Sequence, residues 1–346
     1  MSPTDTFRPA VHRYAVFTAC STVLLLVAGA LVTSNDAGLA VPDWPTSFGT
    51  FFPPMVGGIF YEHGHRMVAT FVGLVTIGLA VILWKSESRR WMRNLGFLAL
   101  AAVVVQGLFG GLTVLLRLPP AVSIVHATLA QIFFCITVAI AVFTSRWWVG
   151  QAPEASGLPV LDEADGAPLR SLSLWLAGVT FVQLTLGAAA RHNAFGILPH
   201  LVGAAAVLTL AIIVARTVRR DFGNIGVAYV GPGDSLERVG EAIQRRFRAT
   251  RPIRVLSKWL NSVIGAQILL GAAAWWSRLA TREAPQPEPM TIWLTVAHTV
   301  LGALVLASTV VFALVCHRLF VEGRVATVSA VLTVGTSLDA KSPGAN

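Results

Sequence analysis

The sequence predicts an all-α integral membrane protein whose eight transmembrane helices form two pseudo-symmetric four-helix bundles. Of its 346 residues, 55% are hydrophobic and only 12% are charged, whereas a soluble domain carries charge on roughly a quarter of its residues. The apolar residues are gathered in long continuous runs, and a pattern of glutamine, glycine and histidine recurs along the chain. Together these observations indicate a polytopic membrane protein with an internal repeat.

Eight apolar segments are long enough to cross a bilayer, for which about 20 residues are needed. Backbone groups in lipid must be satisfied within the segment, so these runs are expected to be helices. The first run lacks a small-residue cleavage pattern, and we interpret it as a retained span rather than a signal peptide. The predicted spans are residues 13–33, 66–84, 95–116, 122–144, 172–190, 198–216, 256–276 and 291–315.

The positions of the basic residues predict the orientation of the spans. If the N-terminus is cytoplasmic, only five of the 26 Lys and Arg residues face the outer side, as the positive-inside rule requires. This distribution explains the net charge of +9, so we exclude nucleic acid as a partner. Because no long transit sequence precedes the first span, we expect a bacterial inner membrane, with both termini cytoplasmic and membrane lipid around the spans. The outer basic residues are Arg66, Arg117, Arg191, Arg278 and Arg282.

A motif of glutamine, then glycine and a small residue, then a loop and a histidine occurs three times. The glutamines are predicted to hydrogen-bond across helices, and the glycines suit either close helix packing or a flat macrocycle between helices. The repeat predicts a four-helix half at 1–144, a cytoplasmic linker at 145–170, a second half at 171–320 and a tail at 321–346. The three copies are Gln106, Gly110 and His126; Gln183, Gly187 and His200; and Gln267, Gly271 and His298.

Four histidines lie at or near the outer start of the even-numbered spans, where ionisable residues are energetically unfavourable and indicate function. Two facing imidazoles in each half suit the axial positions of a haem iron. Zinc would favour three or four converging ligands, copper would often add sulfur, and a hydrogen-bonded core histidine does not explain four matched positions. We therefore predict that His65 and His126 bind one haem iron and that His200 and His298 bind another.

The first half also carries a carboxylate that the second half lacks. Glu62 precedes His65 by three residues and shares its helix face. There it would stabilise a cationic intermediate, accept a proton or position a substrate; alternatively, it only complements the helix dipole. We expect a reactive first site and an electron-carrying second site, with no direct role for His63, which faces away.

These residues resemble those of the haem A synthases of bacteria and mitochondria. Glu62, His65 and Arg66 are similar to the family's Glu-x-x-His-Arg motif, and the Pro-Asp-Trp-Pro stretch at 42–45 is similar to its first outer loop. The remaining three histidines fall where those of the family fall. Residues 34–64 contain no cysteine, so the chain resembles the subtype that lacks an outer-loop cysteine pair.

The resemblance implies oxidation of a ring methyl of haem O to a formyl group by successive hydroxylations, giving haem A for terminal oxidases. Haem O would lie between His65 and His126 with Glu62 as catalytic carboxylate, and a resident haem b between His200 and His298. Asp43 and Trp44 would close the outer side of the substrate site. Haem O synthase and the terminal oxidase assembly are the expected partners; the electron donor, the oxygen source and the oligomeric state stay open. Candidate propionate contacts, unless they only anchor the interface, are Arg66, Arg117 and Arg191.

Two other functions stay open on the residues alone. A di-haem electron-transfer protein would explain the four histidines but gives Glu62 no specific purpose. A transporter built from parallel repeats would use the histidines as proton relays and predicts polar or broken helices at the bilayer midplane. The predicted spans are apolar there, which favours the haem proteins.

Overall fold

The computed structural model describes residues 7–150, 163–222, 244 and 247–320. Within these residues, eight helices are long and apolar enough to cross a membrane, and the only strand-like feature is an isolated bridge between Ser47 and Thr50. The prediction of an all-α, multi-pass membrane protein with eight spans is therefore confirmed. Most of the predicted linker, much of the basic loop between the sixth and seventh spans, and the predicted tail at 321–346 lie outside the described residues.

Two helices begin well before the predicted spans. The second begins at Gly57 rather than at residue 66, because the loop before it binds the polar side chains of its first turns. The fifth begins at Glu163, inside the segment predicted as linker, and a short helical segment occupies Arg146–Gly150. The long helices are α1 (Pro9–Ser34), α2 (Gly57–Ser86), α3 (Arg90–Leu115), α4 (Pro120–Phe143), α5 (Glu163–Arg191), α6 (Leu198–Phe222), α7 (Arg251–Ala280) and α8 (Pro289–Leu319).

Several residues of the helices satisfy their polar groups within the helix, as a lipid environment favours. Proline stands in the first turn of α1, α4, α7 and α8, where its missing N–H is not needed. Hydroxyl groups inside the helices donate to the carbonyl one turn earlier; Thr18 bonds to Tyr14 at 2.9 Å and Thr76 to Val72 at 2.7 Å. These residues therefore fit an apolar span without an unpaired donor.

Each half is a closed ring of four helices. In the first half α1 packs on α2, α2 on α3, α3 on α4, and α4 returns to α1; α5 to α8 pack in the same order. The halves meet where α8 contacts α1 and α4, and where α4 contacts α5. Phe134, Ala303 and Ala307 are buried in this interface. The equal order of contacts is what a duplicated four-helix unit produces.

The even-numbered helices begin, and the odd-numbered helices end, at one end of the molecule, which we call the histidine end. The connection at 35–56 is much the longest there; the others are 116–119, 192–197 and 281–288. The buried apolar clusters lie toward the opposite end, with Leu83, Met92 and Ile140 in the first half and Leu260 and Phe312 in the second. Side-chain packing thus closes each ring away from the histidines.

Candidate functional site

Four histidines line the histidine end of the two rings, one on each even-numbered helix. His65 lies on α2 and His126 on α4, in the first half; His200 lies on α6 and His298 on α8, in the second half. His65 lies more than two turns inside α2, not at its start as the sequence suggested. All four rings are partly buried, so none of them is a freely solvated surface histidine.

Each histidine ring lies against a glycine of the preceding helix. A Cβ atom under 3.0 Å from another heavy atom forces a shift, so a side chain at either second-half position would displace the histidine ring. The glycines therefore form cradles for the imidazoles and do more than bring helices together. A Cβ atom added at Gly29, Gly110, Gly187 or Gly271 would lie 3.2, 3.1, 2.9 or 2.7 Å from Cε1 of His65, His126, His200 or His298, respectively.

Gly29, the first of these glycines, was not predicted, because only three copies of the motif were recognised in the sequence. Gly29 is followed by the small residue Ala30, like the other three cradles, but Leu25 stands where the other copies have glutamine. The pair of a glycine and a small residue late in span 1 was the available signal. The repeat therefore occurs four times, with one copy lacking its amide.

The Nδ1 atoms of all four histidines are buried and have no hydrogen-bond partner. Buried polar groups that serve only the fold are nearly always paired, so these imidazoles are not ordinary core histidines. The rings of His200 and His298 lie with centroids 6.2 Å apart and planes at 86°. Two imidazoles on opposite sides of one metal, with metal–nitrogen bonds of about 2 Å, place their ring centres about 6 Å apart. The second-half pair thus fits an iron between them.

The first half supplies the corresponding pair of histidines, His65 and His126. No group of three or more His, Cys, Asp or Glu residues suited to a metal ion occurs among the described residues. Paired imidazoles without a third protein ligand suit a metal that a macrocycle holds in its plane, because the protein then supplies only the two axial ligands. The residues present therefore fit haem in both halves.

The three repeat glutamines contact the histidine of the following helix, but not in the same way. Gln183 and Gln267 donate to the backbone carbonyls of His200 and His298 at 2.9 and 3.0 Å. The amide of Gln106 instead lies 3.5 Å from Nε2 of the His126 ring. The sequence predicted a hydrogen bond across helices for all three, and it could not distinguish a backbone partner from a ring partner.

Glu62 is only 4% exposed, and both of its carboxylate oxygens have partners. Oε2 accepts the backbone N–H of Val41 at 2.8 Å, and Oε1 accepts Nη2 of Arg66 at 2.7 Å. Glu62 lies inside α2, beyond its first turn, so its partners are specific groups rather than the free N–H groups of the helix terminus. The carboxylate is fixed by two donors, one turn before His65.

Arg66 joins α2 to the long connection at 35–56. Besides Glu62, its guanidinium donates to the carbonyls of Asp43 and Thr46 at 2.8 and 2.7 Å and to the hydroxyl of Ser47 at 3.3 Å. A guanidinium presents five donors in a rigid fork, which suits several acceptors at once. Arg66 was predicted as a candidate propionate contact. In the structure its guanidinium binds the loop and holds it above α2 through these carbonyls.

The carboxylate of Asp43 holds the turn that follows it in the loop. It accepts the N–H groups of Phe48 at 2.6 Å and Gly49 at 2.9 Å and the hydroxyl of Thr46 at 2.7 Å. The Gly49 N–H and the Thr46 hydroxyl hold the pKa of Asp43 at about 2, below its usual value of 3.8. Asp43 is therefore ionised at neutral pH and serves the shape of the loop.

His63 has a role that the sequence did not predict. It is 8% exposed, and its Nδ1 atom lies 2.8 Å from the hydroxyl of Ser47, which also accepts Arg66. Ser47 and Arg66 thereby connect His63 to the loop that Glu62 also contacts. His63 thus forms a second attachment of the loop to α2.

Trp44 lies at the histidine end of the first ring. A Cβ atom added at Gly111 would lie 2.6 Å from Cδ2 of the Trp44 ring, so the indole rests directly on this glycine of α3. Gly111 follows Gly110, the cradle of His126, so the indole lies one residue along α3 from that cradle. The corresponding positions in the second half are Ala188 and Ala272, and short connections replace the loop.

The remaining outer arginines lie in different surroundings. Arg117 is exposed in the turn between α3 and α4, with φ at +60°. Arg191, at the end of α5, donates from Nη2 to the carbonyl of Thr33 at the end of α1, and so links the two halves. Both remain candidates for propionates as predicted, and Arg191 also has this structural contact.

A sequence model of the COX15-CtaA family, described as cytochrome oxidase assembly protein, matches residues 12–199, more than half of the chain. The chain belongs to this family. The matched region runs from residue 12 in α1 through α5, includes Glu62, His65 and His126, and ends one residue before His200. The family match thus covers the first half from residue 12 onward.

Three curated proteins are similar to this chain over parts of their length. Heme A synthase of Symbiobacterium thermophilum is 34% identical over 189 residues, 51% of this chain and 58% of the relative. Heme A synthase of Bacillus pumilus is 27% identical over 188 residues, 53% and 59% respectively. A protoheme IX farnesyltransferase of Halobacterium salinarum is 31% identical over 131 residues, 38% of this chain and 30% of that protein. The chain therefore spans less than two thirds of each of these relatives.

Proposed function

We propose that this protein is a haem A synthase that oxidises a ring methyl of haem O to a formyl group by successive hydroxylations. The observation that carries the proposal is the set of four imidazoles, each held on a glycine with its Nδ1 atom buried and unpaired. Two relatives named heme A synthase support the choice of reaction. The product, haem A, would serve terminal oxidases, in agreement with the family's description as cytochrome oxidase assembly proteins.

The substrate haem O would be bound in the first half, residues 1–144, by His65 and His126. The iron of the macrocycle supplies the redox chemistry when it is bound. The two imidazoles orient the ring between α2 and α4, and the cradles at Gly29 and Gly110 fix the imidazoles. Trp44, resting on Gly111, excludes water from the outer side of this site. The first half thereby aligns one edge of the substrate with Glu62.

Glu62 would be the catalytic carboxylate. Arg66 and the Val41 N–H hold its two oxygens, and charge-assisted hydrogen bonds of this kind fix the position of the carboxylate. A fixed negative charge there would stabilise positive charge that develops on the substrate, and a carboxylate at this place could also accept a proton released during the reaction. His65 and Glu62 are three residues apart on α2, so both face the same macrocycle.

The second half, residues 171–320, would hold a resident haem b between His200 and His298. Two strong axial ligands leave no open position on the iron, which suits electron transfer. The residues before His200 include no carboxylate equivalent to Glu62. Arg117 and Arg191 would contact haem propionates at the histidine end, with the Thr33 carbonyl as a second partner of Arg191.

Partners and location follow from the same proposal. The relative named protoheme IX farnesyltransferase supports a link to the enzyme that makes haem O, and terminal oxidase assembly would receive the product. The protein would lie in the bacterial inner membrane with both termini cytoplasmic, since this orientation leaves few arginines at the histidine end.

The test is extraction and mass analysis of haems after co-expression with a haem O source. Wild type should yield haem A or its hydroxylated intermediate, and Glu62→Gln should accumulate haem O, with haem A lower by at least about 100-fold, the usual effect of a lost acid–base group. Glu87→Gln is the control, because Glu87 also pairs with an arginine, Arg89, but at the opposite end of α2. It should retain haem A production. If wild type binds haem but never alters haem O, the protein is a di-haem electron carrier.

A further inference from the structure

The two halves treat the repeat glutamine differently. Gln183 and Gln267 bond to backbone carbonyls and leave the imidazole Nε2 atoms of His200 and His298 free of them. Gln106 faces Nε2 of His126 itself at 3.5 Å. In each case the amide oxygen Oε1 is buried without a partner, so the nitrogen contact is the one hydrogen bond that holds the side chain.

Space on the following helix explains the difference. Gln183 lies against Gly203, three residues after His200, where a Cβ atom would lie 2.0 Å from its Oε1 atom. Gln267 lies against Gly302, four residues after His298, where a Cβ atom would lie 3.0 Å from its Nε2 atom. The corresponding positions after His126 are Leu129 and Ala130. Neither residue is glycine, so on α4 a side chain fills the space that the amides occupy in the second half. The amide of Gln106 therefore stays in contact with the ring of His126.

A hydrogen bond to Nε2 and a bond from Nε2 to iron exclude each other, because both use the same lone pair. The Nδ1 atom of His126 is buried without a partner, so we take Nε2 as the nitrogen available to iron. If the amide oxygen and nitrogen of Gln106 are exchanged, Oε1 would accept a protonated Nε2, which is equally unable to bind iron. In either orientation of its amide, Gln106 competes with iron for Nε2 of His126.

We propose that Gln106 captures Nε2 of His126 whenever the iron bond breaks, and so makes the first half an exchangeable haem site. This inference rests on the proposed function, in which the first-half haem is substrate and product and must leave, whereas the second-half haem stays. The second-half glutamines, held on carbonyls, do not compete for Nε2. His65 has Leu25 in place of glutamine, so the competition acts on one axial ligand only.

The test compares haem loss from purified protein with Gln106→Leu, a change that the fold already accommodates at Leu25 in the equivalent position. Apomyoglobin takes up released haem, and chromatography separates haem O and haem A, which report the first half, from haem b, which reports the second. Gln106→Leu should slow loss of haem O and haem A roughly 2- to 10-fold, the effect of one net hydrogen bond. Loss of haem b should not change.

Two glycine exchanges test the same mechanism without removing the amide. Ala130→Gly opens on α4 the space that Gly302 provides on α8, so Gln106 can turn to the His126 carbonyl and first-half haem loss should slow as well. Gly302→Ala crowds Gln267 away from its carbonyl and should speed loss of haem b. Unchanged or faster first-half loss in both Gln106→Leu and Ala130→Gly would overturn the inference. Absence of haem O and haem A from wild type would overturn the proposed function itself.

Discussion

At the scale of single residues, the histidine sites depend on glycines that lie close to the imidazole rings. Glycine is needed there because a Cβ atom would contact the ring, and not because the backbone adopts a conformation that only glycine allows. Gly271 leaves 2.7 Å between a Cβ position and the His298 ring, whereas Gly265 on the same helix has no neighbour within 4 Å. Two glycines on α7 therefore have opposite requirements, in agreement with the motif, which includes Gly271 and not Gly265.

Gly271→Ala should push His298 out of its cradle and lower the haem b content of the purified protein several-fold. Gly265→Ala is the matched control: it adds the same methyl group to the same helix in open space, where alanine favours the helix over glycine by roughly 0.5–1 kcal/mol. The absorbance of haem b per chain measures both. Equal haem content in the two variants would show that the cradle has no role.

Residue types at the site were largely predictable, whereas their contacts were not. The spacing of glutamine, glycine and histidine identified His126, His200 and His298 and their cradles. It missed Gly29, because Leu25 breaks the pattern there, and it gave no role to His63, because its partner Ser47 comes from a loop without regular structure. Which group each glutamine binds depends on the space between its amide and the neighbouring helix. The spacing of residues along the sequence does not indicate how large that space is.

At the scale of elements, the start of α2 and the connection at 35–56 form one hydrogen-bonded unit. Arg66 binds Glu62 and two loop carbonyls, His63 binds Ser47, and the Val41 N–H returns to Glu62. These contacts explain why α2 continues well before the apolar run on which its span was predicted. The catalytic carboxylate proposed here is therefore positioned by the loop that covers it.

Arg66→Lys should loosen this loop while the charge at residue 66 is kept. A lysine cannot reach both carbonyls and Glu62 together, and the loss of about two hydrogen bonds, each contributing about 0.5–1.5 kcal/mol, should speed amide exchange of the loop at 41–50 roughly tenfold. Hydrogen exchange with mass spectrometry measures this. Arg117→Lys, at an exposed residue in the next outer turn, should leave exchange at 41–50 as in wild type. Equal rates in the two variants would contradict the role given to Arg66.

At the scale of the whole molecule, two rings with the same order of helix contacts carry unlike histidine ends. The long loop, Glu62 and a ring-facing glutamine belong to the first ring; short connections, no equivalent acid and carbonyl-bound glutamines belong to the second. The eight spans followed from apolar runs alone. The packing of α8 on α1 and α4 did not, because nearly uniform apolar surfaces give no sequence signal for which helices meet.

The central claim is that the four histidines form two separate haem sites, one in each ring. The measurement that tests it most directly is the haem content and haem identity of purified His65→Ala and His298→Ala proteins, expressed with a haem O source. His65→Ala should lose haem O and haem A and keep haem b, and His298→Ala should lose haem b and keep the first-half haem. If either single substitution removes both haems equally, or if neither changes the haem content, the assignment of one pair to each ring is contradicted.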